Sequence, residues 1–127
     1  MTKVKHKNII QLNDIRLSII NAGMKTNILN GISVSIPTGQ AVCLIGPSGS
    51  GKSSLLSIMG GLEKPTNGRV VVNNNDITDY NETMLAKFRK DNIGIVFQSF
   101  HLLPNLTALE NVELPLQLIN SSNTKKI

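Results

Sequence analysis

The residues of this chain best suited to chemistry are Gly46-Pro47-Ser48-Gly49-Ser50-Gly51-Lys52-Ser53, which fit G-x-x-x-x-G-K-[ST] at every fixed position. Glycines at that spacing let the backbone turn sharply, so that successive N–H groups converge on an anion. Lys52 supplies a cation for β- and γ-phosphates, and the Ser53 hydroxyl is a hard oxygen ligand for Mg²⁺. Ser54 adds one more hydroxyl next to the phosphates. A Gly/Ser-rich surface loop matches the bare pattern by chance in on the order of one chain in a few hundred of this length, so the flanking residues decide. Ahead of the loop, Ala41-Val42-Cys43-Leu44-Ile45 is a continuous apolar run, as in a central strand covered on both faces. Behind it, Lys52–Gly60 carries Leu55, Leu56, Ile58 and Met59 at helical spacings. A helix opening directly beneath the anion offers it unpaired N–H groups and the positive end of its dipole. Strand, loop and helix in that order point to nucleotide binding.

Other elements must hold that loop in place. Leu12–Ile20 has a loose apolar pattern and is expected to form a first strand, followed by a turn at Asn21–Lys25. Ile32-Ser33-Val34-Ser35-Ile36 alternates at period two, the mark of a strand with one buried face. Gly60-Gly61 ends the helix after the loop. Pro65–Gly68 reads as a turn, Val70–Val72 as a short strand, and Asn73-Asn74-Asn75 as a tight turn, because Asn tolerates positive φ. Asp79 and Glu82 form a capping-box pattern opening a helix to about Lys90, and Thr107 with Glu110 repeats it. Pro115 is expected to kink or end that last helix. Ile93–Phe97 reads as one more buried strand, ending at Gln98.

Composition is that of an ordinary globular chain of 127 residues, 40% hydrophobic and 17% charged, long enough to bury a core. Only 3% of residues are aromatic, too few for base-stacking platforms. The net charge of +5 is scattered over Lys3, Lys5, Lys7, Lys87, Arg89, Lys90, Lys125 and Lys126 rather than gathered in a stripe, so no nucleic-acid partner is expected. Cys43 is the single cysteine, which excludes an internal disulfide and fits a reducing compartment; inside its apolar run it is expected to be a buried thiol. No segment reaches the ~18 consecutive apolar residues of a membrane span, and the basic N-terminus lacks the apolar stretch of a signal peptide.

From the loop onward the chain resembles the ATP-binding subunit of an ABC transporter. Gly46–Leu56 has that family's Ser-Gly-Ser-Gly form, and Gly60-Gly61-Leu62-Glu63-Lys64-Pro65-Thr66-Asn67-Gly68 resembles the link from its first helix to its β subdomain. Ile93–Gln98 resembles the strand leading to the Q-loop, and His101–Leu116 is similar to the branch of lipoprotein-releasing and macrolide-export ATPases. The resemblance runs from about Leu12 to Leu118. It implies an α/β P-loop NTPase fold of the ABC ATPase type with an N-terminal antiparallel β subdomain, cut after the Q-loop and the helix that follows. Residues 1–127 are then the N-terminal part of one ATP-binding domain, with a loose start over 1–11 and a frayed tail over 120–127.

The same resemblance implies ATP and Mg²⁺ as ligands, with Gln98 touching Mg²⁺ or the attacking water. It makes Phe100–Leu106 the border of the groove that receives an integral-membrane permease subunit. It also implies a second ATP-binding subunit as dimer partner, and a cytoplasmic location on the inner face of the plasma (inner) membrane, reached through the permease. Where relatives stack an aromatic residue on adenine, this chain has Ser18-Ile19-Ile20, and Ile20 is left as an aliphatic contact weaker by about 1 kcal/mol. Asn74 stands where many relatives have a turn glycine. The family's signature loop, Walker B aspartate, catalytic glutamate and switch histidine do not occur in these residues, so Lys52 and Gln98 alone are expected to hydrolyse ATP negligibly. Alternatives to a transporter ATPase are a non-catalytic nucleotide- or permease-binding module, a non-functional gene remnant, and a different P-loop class such as a kinase or GTPase.

Overall fold

The structure is a computed structural model and describes residues 7–123. The basic residues Lys3, Lys5, Lys125 and Lys126 lie outside the described residues. Two 14-residue strands dominate, β1 (Asn8–Asn21) and β2 (Met24–Pro37), joined by Ala22 and Gly23 at φ 49° and 79°. Positive φ at both central residues gives the hairpin turn whose twist matches that of the strands. After helix α1 (Lys52–Met59) come β3 (Asn67–Val72) and the two-residue β4 (Asn75–Asp76). Asn73 and Asn74, at φ 47° and 60°, make the same kind of turn between them. Asn74 therefore serves where a glycine is commoner. Helices α2 (Glu82–Asn92) and α3 (Ala108–Asn123) complete the chain. The sheet is antiparallel throughout, in the order β2-β1-β3-β4.

One face of this sheet carries the core. Leu12, Ile15 and Leu17 of β1, Leu29 of β2, and Val70 and Val72 of β3 pack against Leu55, Ile58 and Met59 of α1 and Leu85 and Phe88 of α2. The uneven spacing in β1 has a cause. Leu12 pairs with Val34 and Ile15 with Ile32, so β1 spends three residues where β2 spends two, a bulge centred on Asn13-Asp14. Asp14 adopts φ 48°, and the extra residue returns Ile15 to the buried face. The loose apolar pattern of the sequence is the trace of that bulge. On the sheet's far edge Asp76 accepts hydrogen bonds from the Thr78 hydroxyl and from Arg69, which hold its carboxyl below the usual carboxylate range.

Helix ends follow local chemistry. Gly60 caps α1, with Gly61 in the left-handed region at φ 67°. The cap of α2 is Asn81, whose side chain accepts from the Met84 N–H at 2.9 Å, two residues later than the Asp79 expected. Tyr80, just ahead of the cap, packs edge-on against Phe88 with ring centroids 6.3 Å apart. Arg89 then ties α2 to the end of α1, donating to the Gly61 carbonyl at 2.7 Å and to Glu82 at 2.8 Å.

At α3 the capping box forms as expected. The Glu110 N–H donates to Thr107 Oγ1 at 3.2 Å, and the Thr107 N–H donates to Glu110 Oε2 at 2.7 Å. The bond from the Thr107 N–H, with the Thr107 side chain beside it, holds the Glu110 carboxyl below its ordinary pKa. A lowered folded pKa means that the cap's contribution is complete above the ordinary carboxylate range and is lost as pH falls through the lowered value. Amide exchange at Thr107 should therefore stay protected to a pH below the usual glutamate titration, and Glu110→Ala should remove that protection at every pH. Protection that fades at the ordinary glutamate midpoint would contradict the capping geometry.

Several expectations need correction. Ala41–Ile45 and Ile93–Phe97 are not strands: they run as unpaired chain, with Ile45 92% and Val96 99% exposed. An apolar run becomes a strand only when a neighbour completes its ladder, and among the described residues none pairs with either. Cys43 is exposed for the same reason. β1 starts at Asn8, inside the stretch expected to be loose, because Ile10, Gln11 and Leu12 pair with both β2 and β3. Pro115 lies inside α3, which continues to Asn123 past the Asn120 at which fraying was expected; residues 124–127 of that tail lie outside the described residues.

Candidate nucleotide-phosphate site

The loop Gly46–Gly51 leaves β2 through an unpaired stretch and enters α1 at Gly51, which has φ 91°. No side chain caps the helix, and its first turn holds no acidic residue. The first N–H groups of α1 thus have neither a side-chain acceptor nor a carboxylate competing for an anion. Ser48, Gly49, Gly51, Lys52, Ser53 and Ser54 line an open cleft of about 560 Å³. That volume falls within the ~300–1,000 Å³ range of small-molecule sites.

Lys52 governs the electrostatics of this cleft. Its ammonium donates to the carbonyls of Gly46 at 2.7 Å and Pro47 at 2.6 Å, and more weakly to Ser50 Oγ at 3.4 Å. The three acceptors are neutral, so the positive charge stays uncompensated at the mouth of the loop. Carbonyls hold the ammonium where phosphate oxygens, as charged acceptors, bind it more strongly. Ser53 stands at the second helical position and lines the same cleft. The Ser53 hydroxyl is a hard oxygen of the kind Mg²⁺ takes, so this side chain is chemically suited to a divalent ion. Among the described residues no group of three or more His, Cys, Asp or Glu stands ready to hold a metal.

The sequence-derived residues divide into three groups. Gly46, Pro47 and Ser50 form the back of the loop around the Lys52 ammonium, and the remaining loop residues face the cleft. Ile20 and Gln98 do not line it. Ile20 sits near the hairpin turn, paired with Lys25 and 74% exposed. Gln98 lies exposed in a bend after the unpaired 93–97 stretch, which gives it no ladder to fix it at the loop. The aliphatic residue at the cleft is Ile28 of β2, which the sequence reading missed. Its carbonyl oxygen lies 3.2 Å from where a Cβ on Gly51 would stand, so the strand passes directly under the loop. No spacing rule marks Ile28, because its role depends on a residue 23 positions further along the chain.

A second surface has its own fixed geometry. Phe100 is 91% exposed and Leu102 is also exposed. The Asn111 side chain pins the following residues to α3. Its Oδ1 accepts from the Leu103 N–H at 2.9 Å, and its Nδ2 donates to the carbonyls of Thr107 at 2.9 Å and Leu106 at 3.2 Å. Phe97 and His101 stack edge to face at 4.6 Å just ahead of this turn. No helix of the described residues is long and apolar enough to cross a membrane.

Known proteins share this arrangement. The ABC transporter ATP-binding protein YtrE of Bacillus subtilis is 50% identical over 91 residues, covering 72% of this chain and 39% of its own length. The lipoprotein-releasing system ATP-binding protein LolD 1 of Chlorobium chlorochromatii is 41% identical over 119 residues, covering 93% of this chain and 48% of its own. Among solved structures, a dimeric post-hydrolysis state of the ATP-binding cassette MJ0796 bound to ADP and Pi superposes with a TM-score of 0.83 at 43% identity. That match covers 86% of this chain and 47% of the cassette. The chain thus spans less than half the length of each of these relatives. A family model described as ABC transporter matches residues 29–127, which takes in the loop, α1 and everything after it, and on that match this chain belongs to the ABC transporter family.

Proposed function

We propose that this chain is the phosphate-binding portion of an ATP-binding subunit that powers an ABC membrane transporter, and that its cleft receives the phosphates of ATP. The observation that carries this reading is the Lys52 ammonium, held only by neutral oxygens beside the uncapped first turn of α1. Phosphate oxygens take over from the Gly46 and Pro47 carbonyls as its partners, and the α1 N–H groups meet the same anion. Mg²⁺, when bound, neutralises phosphate charge, and Ser53 is the residue that would hold it.

The whole protein's activity belongs to this proposal. Hydrolysis of ATP to ADP and phosphate requires groups that orient water, a role to which Gln98 contributes. The permease docks on Phe100–Leu106, the apolar turn that Asn111 holds in shape, and a second ATP-binding subunit completes the dimer. The subunit then works at the cytoplasmic face of the membrane through its permease. The resemblance of the cassette bound to ADP and Pi supports the nucleotide part of this reading.

Thermal unfolding with and without MgATP tests it. A ligand that binds only the folded state stabilises by about 2.7 kcal/mol at a hundredfold excess over Kd, so the melting temperature should rise saturably with MgATP. No shift at millimolar MgATP would refute the assignment of the cleft.

A further inference from the structure

The end of α1 away from the cleft is gripped from two sides by the segment that leads to Gln98. Arg89 Nη1 donates to the Gly61 carbonyl at 2.7 Å, while Nη2 donates to Glu82 at 2.8 Å. The Arg89 carbonyl accepts from the Ile93 N–H at 2.9 Å, the bond with which α2 ends and the 93–97 stretch begins. Ile95 then reaches the same helix end: a Cβ on Gly60 would stand 3.3 Å from Ile95 Cδ1. The Arg89 side chain is only 22% exposed, so its bond to Gly61 is weakly screened by water. The last turn of α1 has no basic residue of its own, and the guanidinium supplies a cation at the negative end of that helix. Resting on the phosphate-binding reading above, we infer that Arg89 is a positioning residue, which seats the stretch carrying Gln98 on the far end of the helix that binds the phosphates. The eight residues of α1 make a hydrogen-bonded rod about 12 Å long. An anion drawing on its first N–H groups therefore moves Gly60-Gly61 as well, and with them Ile95 and the chain up to Gln98. A planar guanidinium spans Gly61 and Glu82 together, a geometry that an ammonium does not reproduce.

Titration of the ¹⁵N-labelled chain with MgATP tests this, with the amide resonances of Gly51–Ser54 reporting on the cleft and those of Ile95 and Gln98 on the stretch. In the wild type both groups should shift with one common Kd. In Arg89→Lys the Gly51–Ser54 resonances should titrate with a Kd within about twofold of wild type, since Arg89 stands at the other end of α1 from the phosphates. The shifts at Ile95 and Gln98 should be largely lost. If they persist unchanged, Arg89 only braces α2 against α1, and its positioning role is overturned. Gly60→Ala gives an independent check that leaves Arg89 in place and suits the helical conformation of Gly60. Its added methyl should displace Ile95, moving the Ile95 and Gln98 resonances before any ligand is added; unmoved resonances would overturn the inference. A wild-type response confined to Gly51–Ser54 overturns it too, while leaving the phosphate site intact. No response at Gly51–Ser54 overturns the phosphate-binding reading itself, and this one with it.

Discussion

Lys52→Ala should lower ATP affinity by about a hundredfold or more and abolish saturable thermal protection, while leaving the ligand-free protein folded. Hydrogen bonds from a charged donor contribute about 1.5–3 kcal/mol each, so removing a single one at the upper end of that range raises Kd by about a hundredfold. Lys52 brings several donors to one point, because its ammonium already spans the Gly46 and Pro47 carbonyls. It also provides the one side-chain charge among the residues lining the cleft. Truncation therefore removes the cation that pairs with the phosphates, and the α1 N–H groups remain as the only attraction. Stability should change little, since the carbonyls that Lys52 contacts are open to water and keep hydrogen-bond partners without it. Unfolding midpoints of the ligand-free variant and wild type should agree within about 0.5 kcal/mol, as for surface positions generally. A variant that binds ATP as tightly as wild type would show that the phosphates lie elsewhere.

Gly68→Ala should cost about 3 kcal/mol or more of stability, large against the whole margin of a domain of this size. Gly68 crosses β1 at its bulge, between the pairs Asn13–Arg69 and Arg16–Asn67, with φ 104°. A Cβ there would stand 2.5 Å from the Asp14 carbonyl oxygen and 2.7 Å from that of Asn13. Both obstacles are backbone and cannot rotate away. The only relief is to part β3 from β1, and Val70 and Val72 of the core ride on that strand. Urea denaturation should show the midpoint fall with little change in slope, because the same surface is still exposed on unfolding. An unchanged midpoint would mean that β3 does not cross the bulge in this register.

Both effects rest on features of different legibility. The phosphate loop could be read from the sequence because it is a run of eight residues whose chemistry is local. Its turn, its lysine and the helix that follows need no distant partner to be specified. The Asn73-Asn74 turn, the Gly60-Gly61 stop and the Thr107–Glu110 cap were legible for the same reason, each closing a hydrogen bond or turn within a few residues. The α2 cap shows where local rules lose resolution. Asp79 with Glu82 matches the capping-box pattern, yet the cap is Asn81, followed three residues on by Met84 rather than an acidic or amide residue.

Non-local pairing accounts for what was misread. Ala41–Ile45 and Ile93–Phe97 have the composition of buried strands, yet composition supplies only half of a ladder. The other half must arrive from elsewhere in the chain, and among the described residues it does not. Conversely, β1 and β2, 14 residues each, extend well beyond the apolar alternation that first marked them, because they pair with each other along nearly their whole length. The bulge at Asn13-Asp14 hid the buried face of β1 from a period-two reading, and it shifts the register of β1 against both β2 and β3.

From the amino-acid sequence alone it follows that this chain carries a phosphate loop, that α1 stops at Gly60-Gly61 and that tight turns lie at Asn21–Lys25 and Asn73–Asn75. Each of these is fixed by sterics and hydrogen bonds between residues a few positions apart. Tertiary structure alone decided which apolar runs became strands, that Ile28 rather than Ile20 stands at the cleft, and that Gly68 admits no side chain. Those depend on which distant backbone passes within a few ångströms, and chain crossing is set by the free energy of the whole packed sheet rather than by any residue's neighbours in sequence.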